Sequence, residues 1–167
     1  MWTDNGLVQV RTQFDATIPT IDPSIVFSTL VDAGVAELYP GFQGWFFGKV
    51  IPGLQDGQRS IAPWIVDSRL AGVAICKRTV AERKLSTLWI CPKFQQRGIA
   101  RELARIAFRW LGTSQPLFTV PEEHFHQFGT LLKVWSFPKY VAYRDLYRAS
   151  RIEYVFNGPL NGEGSLN

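Results

Sequence analysis

LSTLWICPKFQQRGIARELARIAFRWL, residues 85–111, is the stretch on which the reading of the chain turns. Residues 85–91 form an apolar run of β-type residues, and Pro92 breaks it. A glycine-containing turn over residues 95–100 leads into a long amphipathic helix. Strand, turn and helix in that order aim several backbone N–H groups at one point. The helix N-terminus adds about half a positive charge there. Such a point binds phosphate, so the turn is expected to hold a phosphate-bearing ligand.

The helix has two faces. At about 100° per residue, Ile99, Leu103, Ile106 and Trp110 fall beside Ala100, Ala104, Ala107 and Leu111 on one broad apolar side suited to a sheet. Arg97, Arg101, Arg105 and Arg109 make a basic stripe spiralling away from the turn. Arg97 and Arg101 lie where cations oppose the helix dipole, a conflict that a bound anion removes. Those two are expected at the ligand, and Arg105 and Arg109 in solvent.

Before this stretch, residues 60–66 and 70–80 are two strands in hairpin spacing around Asp67-Ser68-Arg69. Pro63 places the first at an edge or a bulge, because proline cannot donate to a ladder. Residues 43–51 form a short aromatic-rich helix, weakened by Gly44 and Gly48. Asp22 and Pro23 open a helix that runs to about Ala33 and stops at Gly34. Residues 6–14 alternate as a strand.

After it, residues 117–120 are a short buried strand, and Pro121-Glu122-Glu123 opens a helix to about Trp135. Residues 139–148 and 152–156 are a final pair of strands. The order β α α β β β α β α β β makes an α/β (α+β) fold, a mixed, mostly antiparallel sheet flanked by helices. One domain is expected over residues 1–157, with a mobile tail over 158–167.

Composition narrows the class. The chain has 167 residues, 46% hydrophobic and 19% charged, as an ordinary globular domain does. No run approaches the ~18–20 apolar residues of a membrane span. The start, MWTDNGLVQV, has no basic and apolar regions of a secretory signal. Cys76 and Cys91 give neither a disulfide framework nor a metal cluster, and both read as buried packing residues. The expected compartment is the cytoplasm. Residues 1–70 hold four basic and seven acidic residues, and the rest holds fourteen basic and seven acidic. An anionic partner, a cofactor or a nucleic acid, fits the basic half.

Gln95-Gln96-Arg97-Gly98-Ile99-Ala100 matches the Q/R-x-x-G-x-G/A signature of the GCN5-related N-acetyltransferase (GNAT) superfamily. The preceding Leu88-Trp89-Ile90-Cys91-Pro92-Lys93-Phe94 resembles that family's fourth strand and its link to the loop. The hairpin with Gly72 resembles strands two and three, and the element order is similar throughout. No G-x-G-x-x-G follows a strand and no G-K-[ST] occurs, so Rossmann and P-loop readings fail. The resemblance implies an acyl-CoA-dependent N-acyltransferase, with acetyl-CoA as cosubstrate and an amine as acceptor. The amides of Gln95, Gln96, Arg97, Gly98, Ile99, Ala100 and Arg101 would hold the pyrophosphate. The backbone of Leu88, Trp89 and Ile90, beside a bulge, would pair with the pantetheine arm. Strands four and five would splay around the thioester. Catalysis would rest on proximity, with a backbone N–H at the oxyanion.

The chain departs from the family at its proton-transfer positions. Leu132 falls where a tyrosine is common, Ser136-Phe137 replaces a Gly-Phe pair, and Lys84 falls where some members carry a glutamate base. His124 and Glu123, after strand five, and Tyr143, on the following strand with Tyr140 and Tyr147, are the substitute candidates. Imidazole exchanges protons near neutrality, which puts His124 first as base. Glu122 and Glu123 are also ordinary helix-start residues. Trp45, Phe46 and Phe47 could line an acceptor pocket or fill a core.

Two other functions fit the same residues. Lys139, Arg144, Arg148 and Arg151 beside tyrosines suit an acyltransferase acting on nucleic acid or aminoacyl-tRNA. The missing tyrosine and glutamate suit a CoA-binding module without catalysis. Neither a metal nor a membrane partner is expected, and the assembly reads as monomer or homodimer.

Overall fold

The computed structural model describes residues 7–8, 21–137 and 139–160. Seven strands form one sheet: β1 (Leu7–Val8), β2 (Arg59–Val66), β3 (Arg69–Arg78), β4 (Arg83–Ile90), β5 (Leu117–Pro121), β6 (Tyr140–Arg144) and β7 (Ile152–Phe156). Their spatial order is β1-β2-β3-β4-β5-β7-β6. Every neighbouring pair is antiparallel except β4 and β5, which are parallel. Six helical pieces flank the sheet: α1 (Pro23–Asp32), α2 (Val35–Leu38), α3 (Phe42–Trp45), α4 (Ile51–Gln55), α5 (Ile99–Leu111) and α6 (Phe125–Val134). The strand expected over residues 6–14 falls mostly outside the described residues, as does most of the C-terminal tail.

Local chemistry accounts for the element ends. The Asp22 carboxylate accepts from the Ser24 N–H at 2.9 Å, Pro23 opens α1, and Gly34 follows it at φ 83°. Asp67 and Ser68 both take positive φ, the tight turn that matches the twist of the β2–β3 hairpin. Between α3 and α4 the chain makes a wide π turn (Phe46–Val50). It ends two residues before Pro52, which has no N–H to give to the preceding turn. Pro63 is tolerated because β1 reaches β2 only at Ile65 and Val66.

The sheet separates two cores. On one face α5 and α6 bury Leu103, Ile106, Ala107, Leu111 and Leu132 against Ala74, Leu85, Phe118, Val120 and Phe156. On the other, α1 to α4 bury Val26, Leu30, Phe42, Phe46 and Val50 against Ile61, Val73 and Ile75. Phe46 is fully buried, worth roughly 2 kcal/mol, so it is core and not pocket lining. The C-terminus of α5 is closed by cations: Arg78 donates to the Trp110 carbonyl at 2.6 Å and Arg83 to the Leu111 carbonyl.

Four expectations need correction. Pro121 ends β5, and α6 begins at Phe125 after a 3₁₀ turn (Glu122–His124), because Pro121 continues the ladder opposite Glu153. β6 ends at Arg144, so Tyr147 lies on the connection to β7, with Asp145 at φ 60° turning the chain. α5 begins at Ile99, so Arg97 belongs to the turn and the helical basic stripe has three members. Cys76 is buried, but Cys91 is only half-buried at the strand's exit.

Candidate active site

The glycine corner has the expected form. β4 leaves the sheet through a 3₁₀ turn (Pro92–Phe94), and Gln96 (φ 60°) and Gly98 (φ 80°) bend the chain into α5. Gln95, Gln96, Arg97 and Gly98 are all exposed. No side chain caps α5, and a Cβ placed on Gly98 would meet nothing within 4 Å. Helix geometry leaves the first N–H groups of α5, including those of Ile99, Ala100 and Arg101, without carbonyl partners inside the helix. Arg97 lies over the Phe94 ring at 5.4 Å and Arg101 is exposed. A helix N-terminus entered through such an exposed turn is favourable for an anionic group.

The second feature is a wedge in the sheet. β4 and β5 pair only at Lys84↔Leu117 and Leu85↔Phe118, yet β4 runs on to Ile90 and β5 to Pro121. The register of β3 against β4 slips where Cys76 faces Leu85 and Ile75 faces Thr87, leaving Ser86 as the extra residue of a bulge. Beyond the bulge, Leu88, Trp89 and Ile90 keep β3 as a neighbour and lose β5. Gly72 is opposite Ile90, where a Cβ would come within 2.9 Å of Ile90 Cδ1 and 3.1 Å of the Trp89 carbonyl. The predicted strand residues and the predicted corner residues thus form one continuous path.

A cavity of about 70 Å³ sits at the mouth of the wedge, on the α1–α4 side. Ser86, Thr87 and Lys84 come from β4, Thr119 from β5, Tyr147 from the β6–β7 connection, Tyr39 from the link between α2 and α3, and Phe42 and Trp45 from α3. Behind its wall lies Glu153, 4% exposed. The Tyr39 hydroxyl donates to Glu153 Oε1 at 2.9 Å, and Thr119 supports the same carboxylate. Burial pushes the Glu153 carboxyl up to about 7, against the opposing pull of those hydrogen bonds and of Arg148 and Lys84. Burial also raises the Tyr39 phenol well above its ordinary range and the Tyr147 phenol to about 12. Lys84 Nζ stands 3.4 Å from the Tyr147 hydroxyl, and burial holds its ammonium below the usual lysine range. A carboxyl that titrates near neutrality, linked by a phenol to a cavity, can accept a proton from a group bound there.

The catalytic candidates from the sequence lie elsewhere. None of Glu123, His124 and Tyr143 lines this cavity. Glu123 forms a bidentate pair with Arg148, both bonds 2.7 Å, which holds its carboxyl at about 2. His124 Nδ1 is 2.9 Å from Gln127 Oε1. Tyr143 lies directly across the β6–β7 ladder from Glu153. Arg151 pairs with Glu122 at 3.3 Å, so two of the four C-terminal cations are engaged within the chain. Of the three aromatics in question, Trp45 lines the cavity, Phe46 is core and Phe47 is exposed. Among the described residues no group of His, Cys, Asp and Glu could hold a metal ion, and no helix is long and apolar enough to cross a membrane.

Sequence reasoning missed Tyr39, Thr119 and Glu153, and it named Tyr147 as a proton donor but placed it on the strand that ends at Arg144. One signal was present: in Ile152–Phe156, Glu153 alternates onto the same face as Val155. A charged residue on a buried face is there for a reason other than solubility.

No protein-family model and no curated protein sequence matches the chain. Solved structures do match. An acetyltransferase from Streptococcus agalactiae is similar at a TM-score of 0.57 over 83% of this chain and 94% of its own, with 10% identity. A GNAT-family protein from Desulfovibrio desulfuricans matches at 0.50 over 80% and 87%, with 16% identity. Nourseothricin acetyltransferase matches at 0.50 over 60% of this chain with 10% identity, and the match spans 65% of that protein's length, just under two thirds. At such identities the likeness concerns architecture, and the architecture is plain: this chain has the GNAT fold.

Proposed function

We propose that the chain is an acyl-CoA-dependent N-acyltransferase, moving an acetyl group from acetyl-CoA to an amine by direct attack. The observation that supports this reading is the β4–β5 wedge, with the open glycine corner at one end and a polar cavity at its mouth. Amides of the 95–101 corner would bind the pyrophosphate, and the β4 backbone at Leu88, Trp89 and Ile90, where the strand no longer pairs with β5 and the Ile90 carbonyl accepts from Gln95 Nε2, would hold the arm. Acetyl-CoA supplies the activated acyl group. The chain contributes position, which alone is worth about 7–11 kcal/mol of barrier when the reacting atoms are well aligned.

The proton steps are assigned to the cavity cluster. An amine arrives as its ammonium form and must lose a proton before it attacks. Glu153, reached through Tyr39, takes that proton at neutral pH. Tyr147, whose hydroxyl accepts from Lys84, would return one to the departing sulfur. Glu123 sits too low to serve as base, because Arg148 keeps it ionised.

The test has two readouts. Millimolar CoA should raise the melting temperature by several degrees, as binding at a large excess over Kd stabilises a domain of this size by a few kcal/mol. Thiol release from acetyl-CoA should then depend on an added amine. No thermal shift with CoA would remove the reading.

A further inference from the structure

Three of the chain's six lysines line the cavity at the wedge: Lys49, Lys77 and Lys84. Lys49 is exposed, and Lys77 is paired with Glu82 at 3.1 Å. Lys84 differs from both. It is half-buried on β4, one residue before the last pairing with β5, where the wedge opens. Its Nζ donates to the Tyr147 hydroxyl at 3.4 Å. Burial holds its ammonium below the usual lysine range, Lys77 and Arg59 act in the same direction, and Glu82 and Glu153 act against it. Such an amine holds more of the uncharged, nucleophilic form than a solvated lysine does.

In the acyl-transfer reading the thioester emerges from the gap between β4 and β5, and Tyr147 meets its sulfur. Lys84 is one hydrogen bond from Tyr147, so its nitrogen stands beside the group that serves the leaving atom. An amine fixed there competes with a free one by proximity. The step balances without a further reagent. The neutral Nζ forms a bond to the thioester carbonyl carbon, and the C–S bond breaks. Nζ sheds one proton to the Tyr147 oxygen while the Tyr147 proton passes to the sulfur. The products are an acetamide on Lys84 and the free CoA thiol.

Building on the acyl-transfer reading, we propose that Lys84 is itself an acceptor: with no free amine present, its side-chain nitrogen takes the acetyl group from bound acetyl-CoA. The acetamide carries no charge. Tyr147 thereby loses a cationic donor, and Glu153 loses one of the cations that draw on its carboxyl. The modification falls on the proton-transfer cluster and not on the 95–101 corner, so a modified chain should still bind CoA.

The experiment incubates the full chain with acetyl-CoA and no acceptor, and follows its intact mass and its peptides with time. One acetyl group per chain should accumulate on Lys84, at about tenfold or more the rate at the exposed Lys133 and Lys139, a small part of what proximity can supply. Excess CoA should suppress labelling at Lys84 and leave the slow labelling of the exposed lysines unchanged. Lys84→Arg should remove the fast label. Should that variant not fold, the peptide map and the CoA competition of the parent chain decide alone. Labelling at Lys84 no faster than at Lys133, or insensitive to CoA, with the CoA thermal shift intact, would overturn the inference and leave the acyltransferase reading standing. Absence of the CoA thermal shift is the separate failure of that underlying reading, and this inference falls with it.

Discussion

The Tyr39 hydroxyl stands 2.9 Å from Glu153 Oε1, two residues separated by 114 positions in the chain and joined across the face of the sheet. Tyr39 lines the cavity at the wedge, and Glu153 lies behind it on β7. The contact makes a buried carboxyl part of a site it does not itself line. Burial is the dominant influence on that carboxyl, and the hydrogen bonds only moderate it.

Glu153 should therefore tax stability in a defined pH window. Its carboxyl titrates near 7 when folded and at about 4.5 when not. Below both values the two states are protonated alike and nothing is lost. As pH rises between them, the unfolded chain releases its proton and the folded one keeps it, so stability falls. Above about 7 the loss is complete, on the order of 3 kcal/mol. Glu153→Gln keeps an acceptor for Tyr39 and has no charge to bury. Its melting temperature relative to the parent should rise between about pH 5 and pH 8. A pH-independent difference would show that the carboxyl titrates normally.

The same carboxyl should set the acid limb of turnover. The rate of acetyl transfer should climb through pH ~7 as Glu153 ionises, and Glu153→Gln should remove that limb with a loss of roughly 10²-fold in kcat. Tyr39→Phe should lose about as much, because the cavity reaches the carboxyl through that hydroxyl. Tyr143→Phe, a change outside the cavity lining, should retain the limb. Loss of the limb in Tyr143→Phe alone would return the proton step to β6.

How far the sequence carried these assignments depends on the range of the interactions. The glycine corner was legible because its causes are local: Pro92 breaks a strand, Gly98 takes a left-handed turn, and Ile99–Leu111 has one apolar face. The aromatic segment over residues 43–51 was legible as helical but not as two things at once, core at Phe46 and pocket at Trp45. The proton-transfer cluster was not legible because sheet order makes it. β7 inserts between β5 and β6, and that insertion brings Glu153 beside Thr119 and under Tyr39. Tyr147 was placed on a strand because its neighbours are good β formers, whereas the turn at Asp145 swings it back toward Lys84.

Glu123 should act through the residue next to its partner. Its bidentate pair with Arg148 ties the turn before α6 to the connection that carries Tyr147. The pair is partly exposed, with side chains at 32% and 16%, so Glu123→Gln should cost under about 1 kcal/mol of stability. The contribution is present above the ordinary carboxyl value of 4.5 and is lost as pH falls toward 2. Turnover should fall more than stability does, because Tyr147 loses its anchor, and Glu123→Asp should restore part of it. Equal losses in both would mean the pair holds the fold and not the phenol.

Two glycines should fail for opposite reasons, and comparing them separates packing from backbone strain. At Gly72 a Cβ would lie 2.9 Å from Ile90 Cδ1, 3.0 Å from Leu103 Cδ1 and 3.1 Å from the Trp89 carbonyl. The two methyl groups can shift, but the carbonyl is backbone of β4, so Gly72→Ala must push β4 away from β3. Overpacking of this kind costs about 1–3 kcal/mol. It also displaces the strand that leads to the corner, so CoA affinity should fall together with stability. At Gly98 a Cβ meets nothing within 4 Å, but φ is 80°, a conformation that costs a side-chain-bearing residue about 1–2 kcal/mol. A less flexible unfolded chain returns less than that, so Gly98→Ala should melt somewhat below the parent while binding CoA more weakly. Melting curves and CoA titrations of both variants decide the matter. If Gly72→Ala melts like the parent, β3 and β4 are not as tightly apposed at Ile90 as this geometry requires, and the path from wedge to corner is looser than drawn.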